Sequence, residues 1–497
     1  MLRAVGRTLI VTTAGRLGSG AGNGEATDTR PGDRPRRNHD RVDVCPETNT
    51  LPSRRSFLRL VGSTGSIALG GCSSSTVTPS VEMPASGLRD EQIPIEVTGS
   101  EPGKSVTLRS RTRSRSGAEW TASATFEAGP DGTVTVGEQP PVESRYYDGV
   151  DPMGLFWSMR PVGTDPTESL PPGALFRPPA EAFEVTLTAE TGGRTLAEAT
   201  TTRRMYEQDI ERVEPPDDLV GAAFMPPGDD PVPGVIHLHG LGGQPFVGLA
   251  RLLASRGFAA LALQYFGDPE PLPDTLLEVP VEYVERAIDW LEAHERVSGG
   301  SVGLFGFSRG GPLALLTASR NDYLGAVVGW VPSGVVYEGL GPDRVPAGTA
   351  AWSIDGEPVP YLELAEADLG PPPTSGLPFF EPPLDDESRE RLEAAEIPVE
   401  DADAPIYLAS VTDDQRWPST RLCERVVDRL DGTGYPHSYR HDAFEGAGHF
   451  MIPPYLPTAG TTRDSTDIYG GSPAANARAD EIAWNRTLSF LSRSLHG

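Results

Sequence analysis

One string constrains the fold of this chain more than any other: Gly306-Phe307-Ser308-Arg309-Gly310, directly after the apolar run 302–305. The apolar run predicts a buried strand, and Leu313-Ala314-Leu315-Leu316 after the string predicts a helix. A G-x-S-x-G string between strand and helix makes a tight turn in which the serine is strained and the glycines leave room for packing. Ser308 is therefore the candidate nucleophile. The alternative is a turn of small residues whose serine hydroxyl has no catalytic role, and it requires that the chain lack a base and an acid to partner Ser308.

Strands and helices alternate on either side of this turn. The predicted elements are strands at 233–238, 258–263 and 301–307 and helices at 246–256 and 279–294. Such alternation implies right-handed crossover units and a parallel sheet, so we predict an α/β-hydrolase domain over residues 206–497. Residues 336–400, rich in proline and acidic residues, break the rhythm. We expect them to be an insertion above the carboxyl ends of the strands, placed to act as a lid.

The part of the chain before this domain has a different pattern. Over residues 87–205, short alternating runs such as Ile93-Pro94-Ile95-Glu96-Val97 are separated by Gly, Pro and Asp turns. This spacing predicts an all-β sandwich.

A serine hydroxyl is a poor nucleophile near neutral pH, so it needs an imidazole base held by a carboxylate. In this fold the chain order is serine, acid, histidine. His449 lies in a glycine-rich loop after a predicted strand, which favours it as the base. His437 and His441 alternate along that strand and are interpreted as surface or packing residues.

The acid is expected where the apolar strand 405–411 ends, at Asp413-Asp414. Asp414 is the preferred acid and Asp413 the alternative. The residue that is not the acid is expected to cap the helix that starts near Ser419.

The tetrahedral intermediate of acyl transfer needs two amide donors for its oxyanion. One is expected to be the backbone N–H of Arg309, next to the candidate nucleophile. The other is expected in the glycine-rich loop 239–243, from Leu241, with Gly242 as the alternative. A further alternative is that these glycines serve only a tight turn.

The charge balance excludes some partners. The chain has 70 acidic and 42 basic residues, a formal net charge of −28, and a single lysine, Lys104. Such a chain repels nucleic acid and anionic membrane surfaces. Arginine without lysine, together with excess acid, is typical of proteins from high-salt cells and predicts unfolding at low salt. The alternative is a GC-rich genome with an acidic surface.

The first eighty residues have the pattern of a targeting segment. Ser53-Arg54-Arg55-Ser56-Phe57 precedes a short apolar stretch that ends in Leu69-Gly70-Gly71-Cys72. The segment 53–72 is typical of a twin-arginine export signal joined to a lipobox, which would make Cys72 a lipid attachment site and membrane anchor. Residues 1–52 are interpreted as a disordered leader or a mis-assigned start, and the Ser/Thr/Pro-rich residues 73–86 as a flexible tether.

The three cysteines, Cys45, Cys72 and Cys423, are too far apart in sequence for a CxxC motif. They therefore predict no zinc or redox site.

Several strings together resemble the acyl-CoA thioester hydrolases and bile acid-CoA:amino acid N-acyltransferases, over nearly all of the chain from about residue 91. They are Gly149-Val150-Asp151-Pro152-Met153-Gly154-Leu155-Phe156-Trp157-Ser158-Met159, Gly303 to Gly311, Asp413-Asp414-Gln415-Arg416-Trp417, Gly448-His449-Phe450 and Gly470-Gly471-Ser472-Pro473. The resemblance implies an immunoglobulin-like domain before the α/β-hydrolase domain. It also implies Ser308, Asp414 and His449 as nucleophile, acid and base, with no metal or cofactor.

Within that family, serine rather than cysteine at the nucleophile position is associated with thioester hydrolysis, so acyl thioesters are the expected substrates. The export signal departs from the family, whose characterised members act inside cells or organelles. The alternatives are an exported carboxylesterase or peptidase-like hydrolase, and a surface-anchored binding protein with an idle hydrolase scaffold. The expected location is the outer face of the cell membrane, or the cytoplasm if the signal is not used.

Overall fold

The computed structural model describes residues 78–165, 170–171, 173–384 and 389–496. The predicted leader, the export signal at 53–72 and Cys72 lie outside the described residues. Within the described ranges, none of the helices has the length and apolar character that a membrane crossing requires.

The N-terminal domain is built from β strands, as the alternating runs predicted. Its elements are β1 (Ser80–Glu82), β2 (Ser86–Leu88), β3 (Glu96–Thr98), β4 (Ser105–Arg113), β5 (Glu119–Glu127), β6 (Val134–Thr135), β7 (Glu143–Ser144), the short helix α1 (Gly154–Trp157), β8 (Arg160–Pro161), β9 (Ala182–Thr191) and β10 (Arg194–Arg204).

These strands form two sheets around one core. The larger sheet has the order β2-β10-β9-β4-β5-β7, with β8 also paired to β5, and the smaller has the order β1-β3-β6. Side chains along β5 are buried at every second position, from Trp120 to Phe126. They share a hydrophobic cluster with Val97 of the smaller sheet, so the domain is a sandwich.

The tether predicted over residues 73–86 is wrong for residues 80–86. Strand β1 pairs antiparallel with β3, and β2 pairs parallel with β10. Val81 is buried in the core of the sandwich. Three-residue strands are too short to show periodicity, and the Ser/Thr/Pro-rich composition around them favoured the interpretation as a flexible segment.

The C-terminal domain alternates strands and helices. Before the insertion, its elements are β11 (Glu211–Val213), β12 (Gly221–Met225), β13 (Val232–Leu238), α2 (Val247–Ser255), β14 (Ala259–Leu263), β15 (Val279–Pro280), α3 (Val281–Glu292), β16 (Val297–Phe307), α4 (Gly310–Ala318) and β17 (Leu324–Trp330). After it come β22 (Ile406–Val411), α7 (Ser419–Thr433), β23 (Tyr439–Phe444) and α8 (Pro473–Leu495).

The insertion has short elements of its own. They are β18 (Glu338–Leu340), β19 (Pro346–Ala350), β20 (Trp352–Ile354), β21 (Glu357–Pro358), α5 (Leu377–Phe380) and α6 (Arg389–Ala395), with 3-10 turns at Pro342–Arg344, Pro382–Leu384 and Val399–Asp401. Tyr337, Phe380 and Trp417 belong to a separate hydrophobic cluster beneath this segment. The insertion is therefore packed onto the domain.

The central sheet positions the candidate site. In the described part of the chain its order is β11-β12-β14-β13-β16-β17-β22-β23, and the strands from β14 to β23 run parallel. Ser308 follows β16, Asp414 follows β22 and His449 follows β23. Because the carboxyl ends of parallel strands meet at one edge of a sheet, the fold brings these three residues together.

The two domains share a tightly bonded interface within one compact unit, Ser74–Gly497. Asp90 accepts hydrogen bonds from Arg256 of the α2 end and from the indole of Trp484 on α8. Tyr455 and Leu456 of the C-terminal domain belong to the core cluster of the sandwich. The sandwich is thus packed directly against the domain that carries the site.

Candidate active site

Ser308 occupies a strained turn. Its φ is +53°, in the left-handed region that residues other than glycine rarely adopt. The Ser308 N–H donates to the carbonyl of Trp330 at 2.9 Å, which ties the turn to the neighbouring strand β17. The glycines are required by packing. A Cβ at Gly306 would lie 2.2 Å from the Gly310 oxygen, and one at Gly310 would lie 2.2 Å from the Leu238 oxygen.

A continuous hydrogen-bonded chain links the three predicted catalytic residues. His449 Nε2 lies 2.8 Å from Ser308 Oγ, and His449 Nδ1 lies 2.9 Å from each carboxylate oxygen of Asp414. All three side chains are buried, with at most 8 % exposure. Because a carboxylate only accepts, it fixes the Nδ1–H tautomer and leaves Nε2 free to accept from the serine hydroxyl.

The backbone around Asp414 holds its carboxylate in place. Asp414 Oδ1 accepts from the N–H groups of Arg416 at 2.9 Å and Trp417 at 3.2 Å. These bonds orient the carboxylate toward His449.

Asp413 is directed elsewhere. Its oxygens accept from Gln415 Nε2 and from the Gly471 N–H, each at 2.8 Å. The prediction that Asp413 caps the helix near Ser419 is wrong, since α7 begins after Pro418 with no side-chain cap. The carboxylate instead fastens the Gly470-Gly471 turn, a contact distant in sequence.

The loop that carries His449 is held by distant segments. The His449 N–H donates to the Tyr469 carbonyl at 2.8 Å, and the Gly448 N–H donates to Asn476 Oδ1 at 2.8 Å. The other two histidines considered from the sequence lie outside the site. His437 contacts Asp403 at 2.6 Å, and His441 contacts Ser410 at 2.7 Å.

The loop 239–243 lies against the candidate nucleophile. A Cβ added at Gly240 would lie 3.2 Å from the Ser308 Cβ, so a side chain there would push against the candidate nucleophile. Leu241, Gly242 and Arg309 all line the cavity that contains Ser308 and His449. Their backbone N–H groups donate to no group among the described residues. They are thus available to an oxyanion, and both Leu241 and Gly242 remain candidates for the second donor.

Two buried residues that the sequence reasoning missed support this loop. The His239 Nδ1–H donates to the Gly240 carbonyl at 2.7 Å, and the Tyr265 hydroxyl donates to the His239 carbonyl. The two rings stack with centroids 4.1 Å apart. Burial lowers the pKa of His239 to about 4, so the ring is neutral at pH 7. In the sequence, only the position of His239 directly before Gly240 indicated that the histidine holds the loop 239–243.

The cavity above Ser308 has a volume of about 210 Å³ and an aromatic wall that includes Phe307, Phe380 and Trp417. Two arginines also reach it, Arg344 from the insertion and Arg416. Both bind Asp467, at 2.8 and 3.0 Å. Phe307, Arg416 and Trp417 lie in the strings quoted from the sequence, whereas Arg344, Phe380 and Asp467 had no signal there because only tertiary packing brings them to the cavity. Among the described residues, no group of three or more His, Cys, Asp or Glu side chains is arranged to hold a metal ion.

The parallel sheet, the strained serine turn and the order of the site residues define an α/β hydrolase. Comparison with known proteins then gives the family. Residues 279–497 match the family described as "BAAT / Acyl-CoA thioester hydrolase C terminal". Residues 90–215 match the family described as "Acyl-CoA thioester hydrolase/BAAT N-terminal region". The chain belongs to this acyl-CoA thioester hydrolase/BAAT family.

Its curated relatives match over most of their length. Acyl-coenzyme A thioesterase 2, mitochondrial, from Mus musculus is 31% identical over 84% of this chain and 89% of the relative. The peroxisomal succinyl-coenzyme A thioesterase from Mus musculus is 30% identical over 84% of this chain and 97% of the relative. Among solved structures, a puromycin-hydrolyzing peptidase from Mycobacterium tuberculosis aligns with a TM-score of 0.37 and 13% identity, covering 82% of this chain and 66% of that one.

Proposed function

We propose that this protein hydrolyses acyl thioesters of coenzyme A through a covalent acyl-enzyme on Ser308. The proposal is carried by one observation, the buried chain of hydrogen bonds from Asp414 through His449 to Ser308. Family membership supports the choice of a thioester, since the relatives described above are named as coenzyme A thioesterases.

Acylation begins with proton transfer. His449 Nε2 removes the proton of the Ser308 hydroxyl as Oγ attacks the carbonyl carbon of the thioester. The imidazolium that forms is stabilised by the Asp414 carboxylate. The tetrahedral intermediate then collapses, the carbon–sulfur bond breaks, and the thiolate takes the proton from His449.

The negative oxygen of the intermediate needs donors that are already in place. The Arg309 N–H, at the start of α4, and the Leu241 N–H are the proposed pair. The first turn of a helix favours an anion, because its N–H groups are free and its dipole is positive there.

Deacylation repeats the chemistry with water. His449 takes a proton from water, hydroxide attacks the acyl-enzyme carbonyl, and the carbon–Oγ bond breaks. Ser308 Oγ recovers the proton from His449, and the carboxylic acid leaves. The overall reaction consumes one water for each thioester cleaved.

A second candidate function is hydrolysis of carboxyl esters by the same residues. The small cavity, about 210 Å³ against roughly 300–1,000 Å³ for typical ligand sites, favours a compact acyl group over a long chain. The predicted export signal also favours a substrate found outside the cell.

The two functions are distinguished by a substrate panel. Purified protein is assayed in multimolar KCl, because the composition predicts dependence on salt, against acyl-CoA thioesters and p-nitrophenyl esters of matched chain length. A kcat/KM higher for the CoA thioester at each length supports the thioesterase. Turnover of the esters alone would replace it by the esterase.

We also propose that the mature protein is a lipoprotein on the outer face of the membrane, attached through Cys72. The proposal is supported by the sequence pattern at 53–72. Changing Arg54 and Arg55 to Lys should retain an unprocessed precursor inside the cell, whereas Cys72→Ser should release the exported protein from the membrane. Cell fractionation measures both, and wild-type protein found only in the cytosol with residues before Cys72 intact would refute export.

A further inference from the structure

The side chain of Arg309 lies in the wall of the catalytic cavity. Its guanidinium carbon is 5.2 Å from the ring centroid of Phe380 and 5.5 Å from that of Trp417. Both rings line the same cavity as Ser308 and His449. The residue next to the nucleophile therefore brings both a backbone N–H and a full positive charge to the site.

In the described part of the chain no carboxylate pairs directly with this charge. Against the larger effect of burial, Glu338 is near enough to raise the Arg309 pKa as a minor cause, but its oxygens accept from the Gly348 and Leu364 N–H groups. Arg309 is 3 % exposed, makes no hydrogen bond or ion pair there, and its Nη2 is buried without a partner. Burial lowers the pKa of Arg309 to about 10, so the group stays charged at neutral pH. Aromatic faces only partly offset the cost of burying an unpaired cation. Such an arrangement indicates a site whose anion arrives with the ligand.

In the rest of the cavity lining, arginines outnumber carboxylates. Arg344 and Arg416 share a single carboxylate, Asp467. Apart from His449, the charged residues among the described lining are thus three arginines and one aspartate. The whole chain has a net charge of −28, so a locally positive cavity is the opposite of its general surface. The rest of the protein surface repels anions, whereas this positive cavity attracts them to the site.

We propose that Arg309, assisted by Arg344 and Arg416, binds an oxyanion carried by the acyl substrate. The oxyanion is a carboxylate at the far end of a short acyl chain or a phosphate of the leaving thiol. Each presents at least two anionic oxygens that a guanidinium binds through paired N–H donors. The proposal rests on the proposed thioester hydrolysis, and it adds a charge requirement to the substrate.

Four substrates of equal acyl length test it. They are the pentanoyl and glutaryl thioesters, each made with coenzyme A and with the phosphate-free thiol N-acetylcysteamine. Two comparisons follow: glutaryl against pentanoyl with the same thiol, and coenzyme A against N-acetylcysteamine with the same acyl group. In at least one comparison, the wild type should favour the more anionic substrate by tenfold or more in kcat/KM. A preference between acyl groups assigns the anion to the acyl chain, and a preference between thiols assigns it to phosphate.

Variants of Arg309 test whether this side chain causes the preference for the anionic substrate. Arg309→Met keeps most of the apolar stem and should abolish the preference, measured as the ratio within a pair, while Arg309→Lys should retain part of it. Arg286→Met, which removes an exposed arginine on α3, should leave the ratio as in the wild type. Equal loss on all four substrates in Arg309→Met, with the ratios unchanged, would overturn the proposal.

Binding without turnover separates this proposal from the catalytic one. Isothermal titration calorimetry with glutarate and with inorganic phosphate should give binding to the wild type at least tenfold tighter than to Arg309→Met. If no thioester is cleaved but this difference is found, the proposed function fails and the anion site stands. Equal binding or none by both proteins, for both anions, would refute the site even if thioesters are cleaved.

Discussion

The indole N–H of Trp484 donates a 2.8 Å hydrogen bond to the Oδ2 atom of Asp90, although the two residues are 394 positions apart in sequence. The same carboxylate receives two N–H groups of Arg256, and its side chain is 1 % exposed. One buried carboxylate thus joins the β-sandwich to the first and last helices of the hydrolase domain described here, α2 and α8.

We expect Asp90→Asn to lower the free energy of unfolding by about 2–4 kcal/mol, because it removes the charge that compensates a half-buried Arg256. Urea unfolding in high salt measures the change. Glu91→Gln is the control, since Glu91 contacts Arg256 at 3.3 Å with a side chain that is 42 % exposed, and it should cost less than about 1 kcal/mol. Equal costs for the two variants would show that the buried carboxylate has no special role.

The proposed nucleophile is tested by Ser308→Ala. We expect kcat to fall by three or more orders of magnitude with the fold retained, because the oxyanion donors alone give little catalysis compared with a complete triad. A fluorophosphonate probe should label the wild type and not the variant. Ser319→Ala, at the end of the same helix α4, is the matched control and should be labelled like the wild type.

The labelling experiment also addresses the binding-protein alternative. Wild-type protein that is folded in high salt but takes up no probe would favour a scaffold without catalysis. Probe attached to a different serine would move the nucleophile away from the strained turn.

The two neighbouring aspartates should differ sharply. Asp414→Asn should lower kcat by about 10⁴, because an amide no longer fixes the imidazole tautomer that accepts the serine proton. Asp413→Asn should cost far less, since its oxygens bind Gln415 and Gly471 rather than His449. Steady-state kinetics on the best substrate of the panel measures both, and the reverse ranking would make Asp413 the acid.

The meeting of Ser308, Asp414 and His449 could be predicted because Ser308 and Asp414 each follow a strongly apolar strand and His449 lies in a glycine-rich loop after a further strand. The alternation of strands and helices then determines which strand ends meet. Arg344, Phe380 and Asp467 could not be found in this way. Arg344 and Phe380 lie in short elements of the proline-rich insertion, and Asp467 lies in the polar segment before α8. Only tertiary packing brings them to the cavity above Ser308. The short strand around Val81 was missed because three residues carry no measurable period.

The contacts of His239 and Tyr265 that support the loop 239–243 were missed for a different reason. His239 follows an apolar strand, as many packing residues do, and nothing in its local string distinguishes a ring that bonds the Gly240 carbonyl from one that only fills space. Its partner Tyr265 is contributed by the segment after β14, and the contact between them depends on the parallel pairing of β13 with β14.

A last prediction concerns His237, which lies in β13 two residues before His239. The ring is 1 % exposed, packs between Phe246 and Phe305, and neither nitrogen has a hydrogen-bond partner among the described residues. Burial, with a smaller contribution from His239, lowers the pKa of His237 from 6.5 to about 3. The folded state therefore resists protonation at a pH where the unfolded chain accepts a proton.

The sign of the effect follows from this difference. Because the folded pKa lies below the unfolded pKa, the stability that neutral His237 permits is present above pH 6.5 and is lost as the pH falls from 6.5 toward 3. Each pH unit in that window should cost the wild type about 1.4 kcal/mol through this one residue. His237→Leu should remove that part of the pH dependence. Leucine packs differently against Phe246 and Phe305, but this changes the free energy of unfolding by the same amount at every pH. The pH dependence that arises from His239 itself is present in both proteins.

The measurement is the free energy of unfolding by urea at several pH values between 7.5 and 4.5, at constant high salt. The wild-type curve should fall more steeply than that of His237→Leu, by about 1.4 kcal/mol per pH unit below pH 6. His496→Leu is the control for loss of an imidazole as such, because His496 is exposed at the end of α8. Parallel curves for the wild type and His237→Leu would mean that the buried ring is protonated in the folded protein, and that strand β13 accommodates a charge next to the loop 239–243.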